Sequence, residues 1–112
     1  MSGYVLYGAE VSYFSGKARA YLRWRGADFE ERIATREVYR DVILPKVGWP
    51  VIPVMEMPDG EVVQDTADII DAVEAATPDG PRAMPDGRVQ RVVSRLMELY
   101  ADEWLVLPAM HY

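Results

Sequence analysis

Residues 3–8, GYVLYG, alternate aromatic and aliphatic side chains and end in glycine, the pattern of a short buried strand. From Ser15 the spacing becomes helical: Ala18, Tyr21 and Leu22 share one face, Lys17, Arg19, Arg23 and Arg25 lie mostly on the other, and Gly26 is placed as a C-cap. Ser15 is the expected N-cap of this helix, with Ser12 a turn residue ahead of it. DFEERIA then sets Phe29 and Ile33 among charges, as a half-exposed edge strand does. Thr35 is placed to cap a short helix over Arg36 to Leu44, which Pro45 is expected to stop. In GWPVIPVMEMPDGEVVQDT the turn signal PDG separates two apolar runs, Val51 to Met57 and Val62 to Val63, and predicts a hairpin.

Thr66, placed as an N-cap, precedes ADIIDAVEAAT, where Ile69, Ile70 and Val73 recur at helical spacing and Asp68 sits favourably in the first turn. Thr77 and Pro78 end that helix. PDGPRAMPDG, 78–87, holds three prolines and repeats PDG, which marks a linker. Beyond it Val89, Val92, Val93, Leu96, Leu99, Tyr100 and Trp104 form one helical stripe that a single helix cannot bury alone. The expected organisation is a folded domain over 1–77, a linker over 78–87, and over 88–112 the first helix of an incomplete helical domain that self-associates through residues 88–107.

The order is strand, helix, strand, helix, hairpin, helix. A right-handed crossover makes the first two strands parallel and the hairpin adds an antiparallel pair. The predicted fold class is therefore α/β, a small mixed sheet with helices on its faces in the thioredoxin-like order.

Composition narrows the chemistry. The 112 residues include no cysteine, which excludes disulfides, thiolate metal sites and a protein thiol nucleophile. His111 is the only histidine, so neither a Ser/His pair with further support nor a histidine metal cluster can be assembled. The net charge of −6 argues against a nucleic-acid partner. It is uneven: residues 1–46 hold eight basic and six acidic side chains, residues 47–112 four and twelve, so a small anion favours the first part. No apolar run is long enough to span a bilayer, and the start lacks the features of a secretory leader, so the expectation is a cytoplasmic protein.

Three stretches, SYFSGKAR after the first strand, VIPVMEMPDG around Pro53, and VVQDTADII from Val62 to Ile70, resemble in order and spacing the glutathione transferase family. The resemblance covers residues 3 to about 77, and RVQRVVSRLMELYADEW is similar to the opening of that family's helical domain. It implies a thioredoxin-like domain that binds glutathione as co-substrate and stabilises its thiolate for attack on a small electrophile. Members of this family with a catalytic serine carry S-x-x-[ST]-x-[KR]-[VA] here, which Ser12, Ser15, Lys17 and Ala18 match. By resemblance Ser12 is then the thiolate's partner, with Tyr7 the alternative and Tyr13 a more distant one. Physically, a hydroxyl at a helix N-terminus, where the dipole favours negative charge, can donate to a thiolate.

The resemblance further implies a cis Pro53 that leaves the backbone of Ile52 free to pair with the peptide, and Asp65 with Thr66 holding the γ-glutamyl group. Asp65 is shorter than the family's usual Glu, so Gln64 shares that role. A cation for the glycine carboxylate is expected from Lys46, Arg36 or Arg40, with Trp49 nearby. The implied assembly is a homodimer. The alternative function is a non-catalytic interaction module of the same family.

Overall fold

A computed structural model describes residues 3–110. They fall into two compact units, Met1–Pro78 and Asp79–Tyr112. The first holds a four-stranded sheet of order β2-β1-β3-β4, from β1 (Tyr4–Gly8), β2 (Phe29–Ile33), β3 (Val54–Glu56) and β4 (Val62–Gln64). β1 and β2 run parallel, with Tyr4 opposite Phe29 and Gly8 opposite Ile33, while β3 is antiparallel to both β1 and β4. This is the thioredoxin-like α/β arrangement that the element order predicts.

Helices α1 (Tyr13–Arg25) and α4 (Thr66–Ala76) cover one face. Tyr4 and Leu6 from β1, Ala18, Tyr21 and Leu22 from α1, Met55 from β3, and Ile69 and Val73 from α4 form the core between them. Each large aliphatic side chain buried there contributes roughly 1.5–3 kcal/mol of transfer free energy. Alternation sends Tyr7 and its cross-strand partner Val54 to the opposite face, where both are buried. α1 ends as its glycine predicts, with Gly26 in the left-handed region at φ 76° and the Ala27 N–H closing onto Leu22 O at 3.0 Å.

Three expectations are corrected. Ser12, not Ser15, is the N-cap of α1: its backbone is extended and its Oγ accepts from the Ser15 N–H at 3.2 Å. Asp65, not Thr66, caps α4, accepting from the Ala67 N–H at 3.0 Å. Pro45 does not stop the helical segment after β2, which runs on as α2 (Arg36–Val38), a wide turn over Tyr39–Ile43, and α3 (Leu44–Val47). The Leu44 N–H reaches back five residues to Tyr39 O, and a widened turn makes room for a ring that has no N–H to give. Gly48, at φ 98°, ends the segment instead.

The second unit carries α5 (Arg88–Tyr100), a wide turn over Ala101–Leu105, and α6 (Val106–Ala109). None of these residues is buried. His111 lies outside the described residues.

Candidate functional site

The register of the sheet brings the singled-out residues to one end of it. Tyr7 lies opposite Val54, and Val54 opposite Gln64. The end of β1, the start of β3 and the end of β4 are therefore neighbours across a single row. Ser12 follows β1, Ile52 and Pro53 precede β3, and Gln64 closes β4 before Asp65 and Thr66 open α4. β2 ends at the same side, with the Ala34 N–H donating to Gly8 O at 2.9 Å, and Arg36 follows three residues after Ile33.

Ser12 is held from several sides. Its N–H donates to Ala9 O at 3.2 Å, its carbonyl accepts from the Gly16 N–H at 2.9 Å, and its Oγ caps Ser15. The hydroxyl thus accepts one hydrogen bond and keeps its own proton to donate, at the positive end of the α1 dipole. Ser15 is fully buried and its Oγ accepts from the Ala9 N–H at 3.3 Å, so it braces the turn. Tyr7, the alternative, is 4% exposed and packed within the sheet, whereas Ser12 keeps partial exposure.

The Ile52–Pro53 peptide bond is cis. Pro53 is buried and Ile52 half-buried just outside β3. Asp65 is the one non-glycine residue with positive φ among the described residues, at φ 79° and ψ 131°. Such a conformation costs of order 1–3 kcal/mol for a side chain bearing Cβ, and residues held in it cluster at ligand-binding positions. It turns the chain sharply from β4 into α4, leaving Asp65 exposed and Thr66 only 3% exposed. No pattern in the sequence marks that strain.

The cations differ in what already engages them. Lys46 Nζ lies 3.6 Å from Glu56 Oε2, and Glu56 sits at the far end of β3, opposite Val5 and Val62. That ion pair draws Lys46 away from the Pro53 end. Arg40 is bound bidentately by Asp41 at 2.8 and 3.0 Å, both residues exposed. Arg36 is exposed and forms no ion pair among the described residues.

Neither Arg19 nor Glu31 stands out in the sequence as a site residue. Glu31 holds the Arg19 guanidinium through Nε at 2.8 and 3.0 Å and Nη2 at 2.6 Å, and the same Nη2 donates to Ala9 O at 3.3 Å. The hydrogen bond to Arg19 holds the Glu31 carboxyl below the usual carboxylate range. Beside this pair a cavity of about 380 Å³ is lined by Gly8, Glu10, Arg19, Arg23, Glu31, Arg32 and Ile33. Among the described residues no group of three or more His, Cys, Asp or Glu side chains is arranged to hold a metal, and no helix is long and apolar enough to cross a membrane.

Residues 6–82 match the family model described as the glutathione S-transferase N-terminal domain. This match spans more than half of the chain, and the protein belongs to the glutathione S-transferase family. No curated protein sequence matches it. Among solved structures it is similar in fold to a rice glutathione S-transferase in complex with glutathione, with 24% identity, a TM-score of 0.82, and coverage of 94% of this chain and 50% of that one. A Tau-class glutathione S-transferase from mango superposes with 24% identity and a TM-score of 0.78 over 91% of this chain and 46% of that one. The beta-etherase LigF from Sphingobium sp. strain SYK-6 gives 22% and 0.78 over 92% and 44%. The chain spans about half the length of these solved structures.

Proposed function

We propose that the protein is a glutathione transferase in which the Ser12 hydroxyl donates to the thiolate of bound glutathione and so makes it available to attack a small electrophile. The observation that carries this reading is the geometry of Ser12: a partly exposed hydroxyl that caps α1 through one lone pair and retains a proton to donate at the helix's positive end. A free thiol titrates near ~8.5, and a donor and dipole aimed at its sulfur favour the ionised form at neutral pH. Catalysis is then electrostatic stabilisation and positioning, with no covalent intermediate on the protein.

In this reading the cysteinyl backbone of glutathione pairs with Ile52, whose chain is presented at the sheet's end by Pro53. Gln64 and Asp65 accept from the γ-glutamyl ammonium. The Thr66 hydroxyl and the start of α4 receive the γ-glutamyl carboxylate. Lys46 reaches the glycine carboxylate only by leaving Glu56, whereas Arg36, which forms no ion pair among the described residues, follows β2 at the Pro53 end of the sheet. The glutathione complex of the rice relative supports the choice of ligand. The exposed stripe of α5, with Val92 59% and Leu96 58% exposed, supports self-association of two copies through residues 88–107.

Titration of bound glutathione by the ultraviolet absorbance of its thiolate tests the central role. The apparent thiol pKa is expected below the free value in the parent protein and close to it in Ser12→Ala. A parent protein that binds glutathione without lowering this pKa would instead favour a module that binds but does not activate.

A further inference from the structure

Arg19 lies one α1 turn beyond Ser15 and is given no contact with glutathione in the proposed reading. Its guanidinium nevertheless joins three parts of the fold. Nε and Nη2 grip both Glu31 oxygens on β2 at 2.6–3.0 Å, and Nη2 also donates to Ala9 O at 3.3 Å. Ala9 O is the same oxygen that accepts from the Ser12 N–H at 3.2 Å, while the Ala9 N–H donates to Ser15 Oγ. Ala9 is thus the hub of the turn between β1 and α1: one oxygen carries both Ser12 and Arg19.

We infer that Arg19, locked by Glu31, is a positioning residue that fixes the Ala9–Ser12 turn and with it the aim of the Ser12 hydroxyl. A planar guanidinium held by two carboxylate oxygens has almost no freedom left, so its remaining N–H points at one place. A carbonyl that accepts two donors cannot rotate without breaking one of them. The pair is partly exposed, with the Arg19 side chain 17% and the Glu31 side chain 27% exposed, less than the Arg32–Glu30 and Arg40–Asp41 pairs on the open surface. Lysine at position 19 would keep the charge but not the fork, and would bind Glu31 or Ala9 O rather than both.

The inference deepens the glutathione reading and rests on it for its consequence, yet it has a readout that needs no ligand. In amide hydrogen exchange on the ligand-free protein, Arg19→Ala is expected to speed exchange at Ala9 and Ser12 roughly tenfold, the effect of losing a charge-assisted hydrogen bond, with Ile69 in α4 unchanged. Arg19→Lys should fall between the two and covers the case in which the alanine variant does not fold. With glutathione bound, the apparent thiol pKa should move toward its free value in Arg19→Ala while affinity changes little. Unchanged exchange at Ser12 in a folded Arg19→Ala or Arg19→Lys variant overturns the positioning role. Faster exchange in a protein whose thiol pKa stays put also overturns it, because the aim of Ser12 would then not depend on the turn. If the parent protein never binds glutathione, the function fails while the exchange result still decides whether Arg19 holds the turn.

Discussion

Gly8 and Ser15 approach so closely that a methyl group on Gly8 would lie 2.5 Å from Ser15 Oγ and 2.9 Å from its Cβ. The last residue of β1 is therefore glycine because α1 returns over it, and the closeness lets the buried Ser15 hydroxyl reach the Ala9 N–H. Gly8→Ala should destabilise the first unit by about 1–3 kcal/mol, the usual cost of overpacking a site that cannot relax. Denaturant unfolding checks this. Ser15→Gly in the same chain should recover part of the loss, a non-additive result that a mere change of strand propensity would not give.

Tyr21, Glu74, Arg25 and Thr77 tie the C-terminal end of α1 to that of α4. The Tyr21 hydroxyl donates to Glu74 at 2.9 Å, and Arg25, its side chain 3% exposed, donates to both oxygens of Thr77 and lies 3.8 Å from Glu74. Burial first, and then the Glu74 hydrogen bond, push the Tyr21 phenol well above its ordinary value. An acid whose pKa is raised by folding contributes stability that is fully present below its unfolded value, about 10 for a phenol, and is lost as pH rises from there through the raised folded value. Stability should therefore fall more steeply above pH ~10 in the parent protein than in Tyr21→Phe, measured by urea unfolding at matched salt.

The acid side has the opposite sign. Arg19 holds Glu31 below its ordinary range, so that contribution is present above the unfolded carboxylate value and lost as pH falls below about 4. Because the pair is partly exposed, its size is under about 1 kcal/mol. Glu31→Gln should flatten the acid limb of the stability profile by that much, and added salt should shrink the difference between the two proteins.

Asp65 combines a costly backbone with a useful side chain. Asp65→Gly removes the strain and the cap together, so its net effect on stability should stay within about 1 kcal/mol. Asp65→Ala keeps the strain, loses the cap, and should cost about 1–2 kcal/mol by thermal unfolding. Asp65→Asn retains an acceptor for the Ala67 N–H and should be the mildest for the fold. All three should weaken glutathione binding if the carboxylate meets the γ-glutamyl ammonium.

The strands, the long helices and the PDG hairpin were legible because burial on one face imposes a period, and residues such as Leu6, Leu22 and Val73 obey it. Cap identity was not. Ser12 and Ser15, like Asp65 and Thr66, are pairs in which either member can cap. Tertiary contacts decide between them: Ser15 is pulled into the interior by Gly8 and Ala9, and the chain reversal at Asp65 is set by where β4 must end. Pro45 misled because a breaker rule assumes a regular helix, and the widened turn escapes it. The site itself was legible only through resemblance. Arg19 read as a charge on the outer helix face, since nothing in local sequence shows that Glu31, on the neighbouring strand, will hold it.

The most direct measurement is an amide NMR titration of the protein with reduced glutathione. Saturable shifts confined to Ser12–Lys17, Ile52, and Gln64–Thr66, the three segments that the sheet register gathers at one end, are expected. Amides in those segments that stay still at millimolar glutathione while the fold is intact would contradict the proposed function.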